Sequence, residues 1–411
     1  MQIILLDNGL SRRSQHSYHL LLEVRQILSR RAILHRTFGA KRMQREVAAD
    51  IGAHLHFRRS LYCGSLPPPG EFLPRASAYL GALLRKDPVY SEEATWHRHN
   101  EIYAQDLARL PSDVWRRENL VVLPGVSQNQ LQGLVRHLLS LPRQDLPKIV
   151  CQLMFTPNWT PWGRNGTLGA DFYRKAFQLA EGLTDQKLFF TTENEALAEV
   201  YRRDFGIKTR LLPVAFGAAC APKAAGDVIR LGFFGYSKAE KGFHLLPEAI
   251  ALCQARGLPV TFVVQIQHDR WEKETIAAER SLRRLPGVEL IEGTMDSMAY
   301  AQTTNAVDVT LLPYDPERFG PRGSGLFTEA VAAGRPIIAA GGTFAATRIE
   351  CGEAEGEIFA PYDSTSLANA IGRLLPRLAA CRARAAQQTE AFARCHSGEA
   401  YVDVLMSFAP N

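Results

Sequence analysis

The sequence predicts an α/β fold made of two doubly wound domains, each with a parallel sheet. Short runs of Val, Ile and Leu, closed by Gly, Pro or polar residues, alternate with longer segments whose apolar residues recur at helical spacing. Strands that alternate with helices form right-handed crossovers, and these produce parallel sheets. The length of 411 residues fits roughly two to three domains.

The first series of strands and helices occupies residues 1–213. Residues 3–7 are an apolar strand, Asn8 and Gly9 open a polar turn, and an amphipathic helix follows at 18–28. A glycine directly after the first strand is typical of doubly wound domains, in which ligands bind at the strand ends. The turn lacks G-x-G-x-x-G, so the dinucleotide fingerprint is absent. Further strands are predicted at residues 120–123, 149–155, 188–192 and 210–213.

A stretch of small residues, 214–228, is the predicted linker, because it contains Pro and Gly but few large apolar side chains. A second domain is predicted at residues 229–381. Its strands are expected at 229–234, 260–265, 288–292, 308–312, 337–340 and 357–361. Residues 382–411 are predicted to form a final helix and tail that could pack back on the first domain.

Residues 311–343 are typical of a strand, a glycine-bearing loop, a helix and a further strand. The backbone amides of Ser324, Gly325 and Leu326 would lie at the helix N-terminus, where an anion binds favourably. Glu329 follows one turn into the helix, and an ionised carboxylate can accept hydrogen bonds from both hydroxyls of a diol. The alternative for Glu329 is a solvated glutamate favoured by the helix dipole. The pattern favours a ligand with phosphates at one end and a diol at the other.

Composition excludes several classes of protein. No apolar run approaches the ~18 residues that cross a bilayer, and the amino terminus has no signal-peptide pattern. The seven cysteines are scattered without CxxC spacing, so we expect free thiols in a cytoplasmic protein. No Cys/His spacing suggests a metal site, and no D-x-D motif is present. We therefore expect neither a metal nor any other cofactor.

Positive charge is concentrated in residues 1–60. This region has eleven Lys or Arg and four acids, an excess of seven, whereas the whole chain has a net charge of +6. Such a region could contact an anionic membrane or a phosphorylated acceptor, or it could be a solvated surface. No nucleic-acid motif accompanies it, so nucleic acid is not an expected partner.

The second half resembles a known family, the retaining GT-B glycosyltransferases of the family-4 type. Four segments carry the resemblance in order: 230–247 (with RLGFFG, EKG and LLP), 288–293 (VELIEG), 311–338 and 356–368 (GEIFAPYD, then LA). In the first half only residues 190–213 resemble the family. The resemblance implies GT-B architecture, with two Rossmann-like domains and an interdomain cleft, and a donor nucleotide bound mainly by the second domain.

Matching residues imply a donor site. Its expected members are Gly9, Gly235, Lys241, Gly323, Ser324, Gly325, Leu326 and Glu329. By the resemblance, Glu329 is the second carboxylate of an E-x7-E motif and binds the ribose hydroxyls. Ser324, Gly325 and Leu326 hold the pyrophosphate or sugar, and Gly9 faces it from the first domain.

The catalytic residues implied are Lys241 and Arg322. In this fold the departing diphosphate is thought to take the acceptor's proton during front-face attack. The enzyme then needs positive charge at the leaving group more than a protein nucleophile. Lys241 matches the family lysine, and Arg322 lies in the phosphate loop.

The chain departs from the family pattern at two places. Pro321 occupies the position of the first motif glutamate, which usually touches the donor sugar, and Glu317 nearby is out of register. Tyr236 occupies the position of a family arginine, a charge that Lys238 or Arg322 could supply.

A family histidine of the first domain has no matching motif in this chain. His16, His19 and His137 are the candidates, and a surface or helix role is the alternative for each.

The expected function is transfer of a sugar from a UDP-, GDP- or ADP-sugar to a glycan, lipid-linked or small-molecule acceptor, with retention and without metal. Two alternatives remain open. One is a catalytically silent, transferase-like module that binds nucleotide or a partner. The other is an inverting transferase or a sugar-nucleotide epimerase of the same fold.

Overall fold

The computed structural model describes residues 1–13, 16–62, 92–160, 166–214, 228–268 and 272–410. They form two compact units, one of Met1–Leu212 with Val402–Asn411 and the other of Pro213–Tyr401. The predicted linker, residues 214–228, lies outside the described residues except at its two ends. Within the described residues, no helix is both long and apolar enough to span a bilayer.

The first unit contains a seven-stranded parallel sheet with the order β3-β2-β1-β4-β5-β6-β7. Its strands are β1 Ile3–Asp7, β2 His35–Ala40, β3 Ala53–Phe57, β4 Leu120–Leu123, β5 Lys148–Gln152, β6 Leu188–Thr192 and β7 Arg210–Leu211. Its helices are α1 His16–Arg30, α2 Arg45–Ile51, α3 Glu92–Ala108, α4 Leu131–Leu139, α5 Gly166–Ala180 and α6 Glu195–Phe205.

The central strands of this unit are apolar because they are buried on both faces. Every residue of β1 and β4 is buried, as expected for a parallel sheet covered on both faces. Helices α3 and α4 pack so closely that a β-carbon on Gly133 would lie 2.1 Å from the carbonyl oxygen of Asn100.

The chain's last residues belong to the first unit. Lys148 Nζ donates to the carbonyl oxygen of Ala409 at 3.2 Å. Phe408 packs against Phe189 with ring centroids 5.3 Å apart, and the Arg210 guanidinium lies 4.1 Å from the Phe408 ring centroid.

The second unit contains a six-stranded parallel sheet with the order β10-β9-β8-β11-β12-β13. Its strands are β8 Ile229–Phe233, β9 Val260–Ile266, β10 Val288–Glu292, β11 Val309–Leu312, β12 Ile337–Ala340 and β13 Gly356–Phe359. Its helices are α7 Leu246–Ala255, α8 Lys273–Leu282, α9 Ser297–Asn305, α10 Pro316–Phe319, α11 Gly325–Ala332, α12 Phe344–Glu350, α13 Ser364–Leu374 and α14 Leu378–Cys395. A last helix, α15 Gly398–Met406, passes from this unit into the first.

The predicted α/β fold with two doubly wound domains is confirmed. The two sheets have the same topology, since the first six strands of each have the order 3-2-1-4-5-6 when counted within the unit. In each sheet the direction of the crossovers reverses between the first and fourth strands. Ligands of such sheets bind beyond the carboxyl ends of the strands at this reversal.

Candidate functional site

In the second unit, the reversal lies between β8 and β11, which pair directly. The loop that follows β8 contains Gly235, and the connection from β11 to α11, Pro313 to Ser324, contains the short helix α10. The predicted donor residues of this unit therefore lie in these two connections and in α11, which follows the second of them.

Gly235 lies at a close approach between these loops. Its φ of +86° disfavours any residue with a β-carbon. A β-carbon there would lie 3.1 Å from Nζ of Lys241 and 3.4 Å from Cδ1 of Leu326. The Gly235 amide donates to Oε1 of Gln265 at 2.8 Å, and Gln265 Nε2 donates to the carbonyl oxygen of Gly293 at 2.8 Å. The structure thus brings Gly235, Lys241 and Leu326 together.

Lys241 is fixed by a short turn that is locked to the loop after β11. It ends the 3-10 turn Ala239–Lys241, and Gly242 follows with φ +74°. A β-carbon on Gly242 would lie 1.8 Å from the carbonyl oxygen of Pro313, so only glycine fits there. The amide of Asp315 donates to the carbonyl oxygen of Glu240 at 3.0 Å.

The Lys241 ammonium has an electrostatic environment suited to an anion. Burial lowers its pKa to about 8; the negative charge of Glu240 opposes this shift, and the positive charge of Arg322 adds to it. The ammonium lies 5.8 Å from the ring centroid of Tyr314. A bound diphosphate would favour the charged ammonium, and would thereby offset both its desolvation and its repulsion by Arg322.

Arg322 lies in the loop ahead of α11. Its amide donates to the carbonyl oxygen of Phe319 at 2.7 Å, and its guanidinium carbon lies 4.3 Å from the centroid of that ring. Burial raises the pKa of Tyr314 to about 12, and the hydrogen bond with Ser324 and the positive charge of Arg322 oppose this shift. Arg322 and Lys241 therefore act on the same small region.

Ser324 begins α11 as its N-cap. Its Oγ accepts from the amide of Phe327 at 3.3 Å and lies 3.3 Å from Oη of Tyr314. Among the described residues no acceptor is bonded to the amides of Ser324, Gly325 or Leu326. These amides, with that of Gly323 just before them, remain available to an anion at the helix N-terminus.

Glu329 lies one turn inside α11 and is half-buried. Its Oε2 accepts from the phenol of Tyr300 at 2.6 Å. Burial raises the pKa of Glu329, whereas the hydrogen bond from Tyr300 and the positive charge of Arg335 lower it. A carboxylate held in this way can accept further hydrogen bonds from a ligand.

The structure also locates the departures from the family pattern. Pro321 is half-buried in the loop before α11, and Glu317 is exposed on the short helix α10. The Lys238 ammonium lies 5.2 Å from the ring centroid of Tyr236. The region near Lys241 thus has cations on both loops but no carboxylate at the position of Pro321.

Gly9 lies at the carboxyl edge of the sheet in the first unit, directly after β1. Its amide and that of Leu10 donate to Oδ1 of Asp7 at 2.7 and 3.0 Å. Burial raises the pKa of Asp7, and these two hydrogen bonds oppose the shift. Gln130 donates to Oδ1 of Asn8, so the turn is fixed from the β4 side as well.

The candidate histidines lie on helices of the first unit. His19 is in α1, where burial lowers its pKa. His137 is in the last turn of α4, where burial lowers its pKa to about 4 and its ring packs 4.7 Å from that of Trp115. Because α4 starts at the carboxyl edge of the sheet and runs back, His137 lies toward the opposite edge from Gly9. His16 is the first residue of α1.

Several residues of the site have no sequence signal of their own. Gln265 and Tyr300 lie outside the four segments that resemble the family. Tyr314 and Gly242 lie within two of these segments, but the resemblance assigned them no role. Among the described residues, no group of three or more His, Cys, Asp or Glu could hold a metal ion.

Part of the chain matches a known protein family. Residues 228–377 match the family model for glycosyl transferases group 1. No curated protein matches the chain significantly.

Three solved structures share the fold over nearly their whole length. HepE from Anabaena in complex with UDP is 14% identical, with 99% of each chain covered and a TM-score of 0.60. Sucrose-phosphate synthase from Thermosynechococcus elongatus is 14% identical, with 99% of this chain and 98% of that chain covered and a TM-score of 0.62. A glycosyltransferase from Rickettsia africae is 10% identical, with 100% and 99% covered and a TM-score of 0.66. Residues 228–377 therefore match a glycosyl transferases group 1 domain, and the two parallel-sheet units share their fold with these solved structures.

Proposed function

We propose that this enzyme transfers a sugar from a nucleotide-diphosphate donor to a glycan, lipid-linked or small-molecule acceptor, with retention and without a metal or other cofactor. The observation that carries the proposal is the convergence of Lys241, Arg322 and the amides of Ser324–Leu326 at one strand edge, one helical turn from Glu329. Positive charge and free amides suit a diphosphate, and the carboxylate suits a ribose.

The donor classes are UDP-, GDP- and ADP-sugars. HepE, which shares the fold, was crystallised with UDP and with UDP-glucose, and this supports UDP as the first nucleotide to test. The missing carboxylate at Pro321 would change how the sugar is held. The donor sugar is therefore expected to be bound by other groups than in the family pattern.

The chemistry proposed requires stabilisation of the departing diphosphate. As the glycosidic bond to the donor breaks, negative charge grows on the diphosphate oxygens, and Lys241, Arg322 and the α11 amides would stabilise it. The acceptor hydroxyl attacks the anomeric carbon from the same face, and its proton passes to the departing diphosphate. Two cations would then perform the charge neutralisation that other transferases assign to a metal ion.

A thermal-shift panel of UDP, GDP, ADP and their sugars tests the donor assignment. A ligand at 100 times its dissociation constant should add ~2.7 kcal/mol of stability. Unfolding temperatures that no nucleotide diphosphate shifts would contradict the assignment.

Product analysis tests the reaction itself. With the donor found by the panel and a set of acceptors, NMR of the product should show the anomeric configuration of the donor, and EDTA should leave the rate unchanged. An inverted configuration would indicate an inverting transferase. Donor isomerisation without an acceptor would indicate an epimerase. Nucleotide binding without turnover would indicate a catalytically silent module.

The proposed location is the cytoplasm, at the inner face of an anionic membrane contacted by residues 1–60. Lys41, Arg42 and Arg45 are exposed and form no ion pair with any described residue. The amide of Gln44 donates to the carbonyl oxygen of Ser11 at 3.0 Å, so this cluster adjoins the loop that follows Gly9. A lipid-linked acceptor bound at that edge would then lie near the membrane surface.

A further inference from the structure

Tyr300 is held by helix α9 in contact with the proposed donor site. Asp296 caps the helix by accepting from the amide of Ala299 at 2.8 Å, and the Tyr300 amide donates to the carbonyl oxygen of Asp296 at 2.9 Å. The Tyr300 carbonyl oxygen accepts from Thr304 Oγ1 at 2.8 Å. The Tyr300 ring packs edge to face on Phe234, with centroids 6.4 Å apart. Backbone and ring are therefore fixed independently of the phenol oxygen.

The phenol of Tyr300 is directed at Glu329. The Oη–Oε2 distance of 2.6 Å is typical of a hydroxyl that donates to a charged carboxylate. Tyr300 and Leu326 both pack against the small apolar cluster that contains Phe234. The hydrogen bond thus joins α9 to α11 at the residue where α11 is proposed to bind ribose.

Only one oxygen of Glu329 is engaged by Tyr300. Within the described residues no donor bonds to Oε1, and Oε2 retains a lone pair. Fixing Oε2 removes rotation of the carboxylate and leaves Oε1 to accept from a ligand hydroxyl. Pre-ordering a group in its binding orientation raises affinity because less entropy is lost on binding.

We propose that Tyr300 is a positioning residue that holds Glu329 for the vicinal diol of the donor's ribose. The proposal rests on the assignment of Glu329 to the ribose. It predicts that Tyr300 acts on the ribose specifically, since the phenol reaches the ligand only through the carboxylate.

The test compares a nucleoside diphosphate with its 2′-deoxy counterpart, using whichever of UDP, GDP and ADP binds the wild type. Dissociation constants are measured for the full-length wild type, Tyr300→Phe, Glu329→Ala and the double variant. Tyr300→Phe should weaken ribonucleotide binding about two- to tenfold, the range of one hydrogen bond, and deoxynucleotide binding much less. The double variant should bind no more weakly than Glu329→Ala.

Thr304→Val is the matched control. It removes a hydrogen bond to the Tyr300 backbone without touching the phenol, so the ratio of ribo to deoxy affinity should stay at the wild-type value.

Three results would overturn the proposal. Equal weakening of both nucleotides by Tyr300→Phe would show a purely structural role, and unchanged affinities for both nucleotides would show no role. In either case, a lower ratio of ribo to deoxy affinity in Glu329→Ala would leave the assignment of Glu329 to the donor ribose intact. If Glu329→Ala itself keeps the wild-type ratio, the ribose assignment fails, and the role of Tyr300 fails with it.

Discussion

Gly235 and Lys241 lie so close together that a β-carbon on Gly235 would be 3.1 Å from the lysine ammonium nitrogen. The first loop of the second unit is therefore shaped around the cation that is proposed to neutralise the donor diphosphate. Because of this proximity, a substitution at Gly235 perturbs the site without changing the charge of any residue in it.

Gly235→Ala should weaken binding of the nucleoside diphosphate roughly tenfold, because the added methyl group displaces the Lys241 ammonium; tenfold corresponds to ~1.4 kcal/mol. Gly257→Ala is the control. Its φ of +62° imposes a similar backbone strain of ~1–2 kcal/mol, but nothing lies within 4 Å of the new methyl group. Titration calorimetry should show wild-type affinity for the control. If both variants bind the nucleotide equally weakly, the effect of Gly235→Ala is one of backbone strain and Gly235 is not part of the site.

Donor affinity should fall above pH 8. Lys241 has a pKa lowered to about 8, and a bound diphosphate favours its charged form. In the free protein the ammonium loses its proton as the pH rises through 8, so binding then requires proton uptake and weakens by up to about tenfold per pH unit. Lys241→Arg keeps its charge throughout, so its affinity should stay level between pH 7 and 9.5. The same slope in both proteins would assign the titration to another group.

Gly242→Ala should destabilise the second unit strongly. A β-carbon at this position would lie 1.8 Å from the carbonyl oxygen of Pro313, so two backbone segments must separate. We expect a loss of roughly 3 kcal/mol or more, at the high end for single substitutions. Gly352→Ala has φ +72° and no atom within 4 Å of its new methyl group, so it should lose only ~1–2 kcal/mol. Urea unfolding compares the two, and similar midpoints would show that the close approach can relax.

Membrane contact should depend on Lys41, Arg42 and Arg45. Each cation near an anionic surface contributes ~1 kcal/mol, so changing all three to Gln should greatly reduce sedimentation with phosphatidylglycerol vesicles at low salt, where screening is weakest. A variant with Arg116, Arg117 and Lys208 changed to Gln removes the same charge from other exposed positions and should still sediment. If both variants lose the same amount of vesicle binding, net charge alone attracts the protein to the membrane. If the wild type does not sediment with the vesicles, the proposed membrane contact is wrong.

Much of the fold follows from local patterns in the sequence. The strand predicted at residues 3–7 coincides with Ile3–Asp7, and the helix predicted within residues 311–343 begins at Gly325. These elements are predictable because buried parallel strands are continuous apolar runs and because Ser324 is a good N-cap. The residue pattern of the loop and helix within 311–343 is therefore sufficient by itself to indicate an anion site.

The contacts that complete the site depend on tertiary structure. Tyr300 and Glu329 are 29 residues apart on different helices, and no spacing rule relates them. The proximity of Gly235 to Leu326 likewise arises only when β8 and β11 pair. The sequence predicted the candidate donor residues, but not the residues that contact Glu329 and Lys241.

Titration calorimetry of UDP, GDP and ADP with the wild type and Glu329→Ala tests the central claim most directly. At least one nucleotide should bind the wild type, and Glu329→Ala should weaken that binding roughly ten- to a hundredfold, as expected for charge-assisted hydrogen bonds worth ~1.5–3 kcal/mol. Failure of every nucleotide to bind, or equal affinity in the two proteins, would contradict the assignment of this strand edge to a nucleotide-sugar donor.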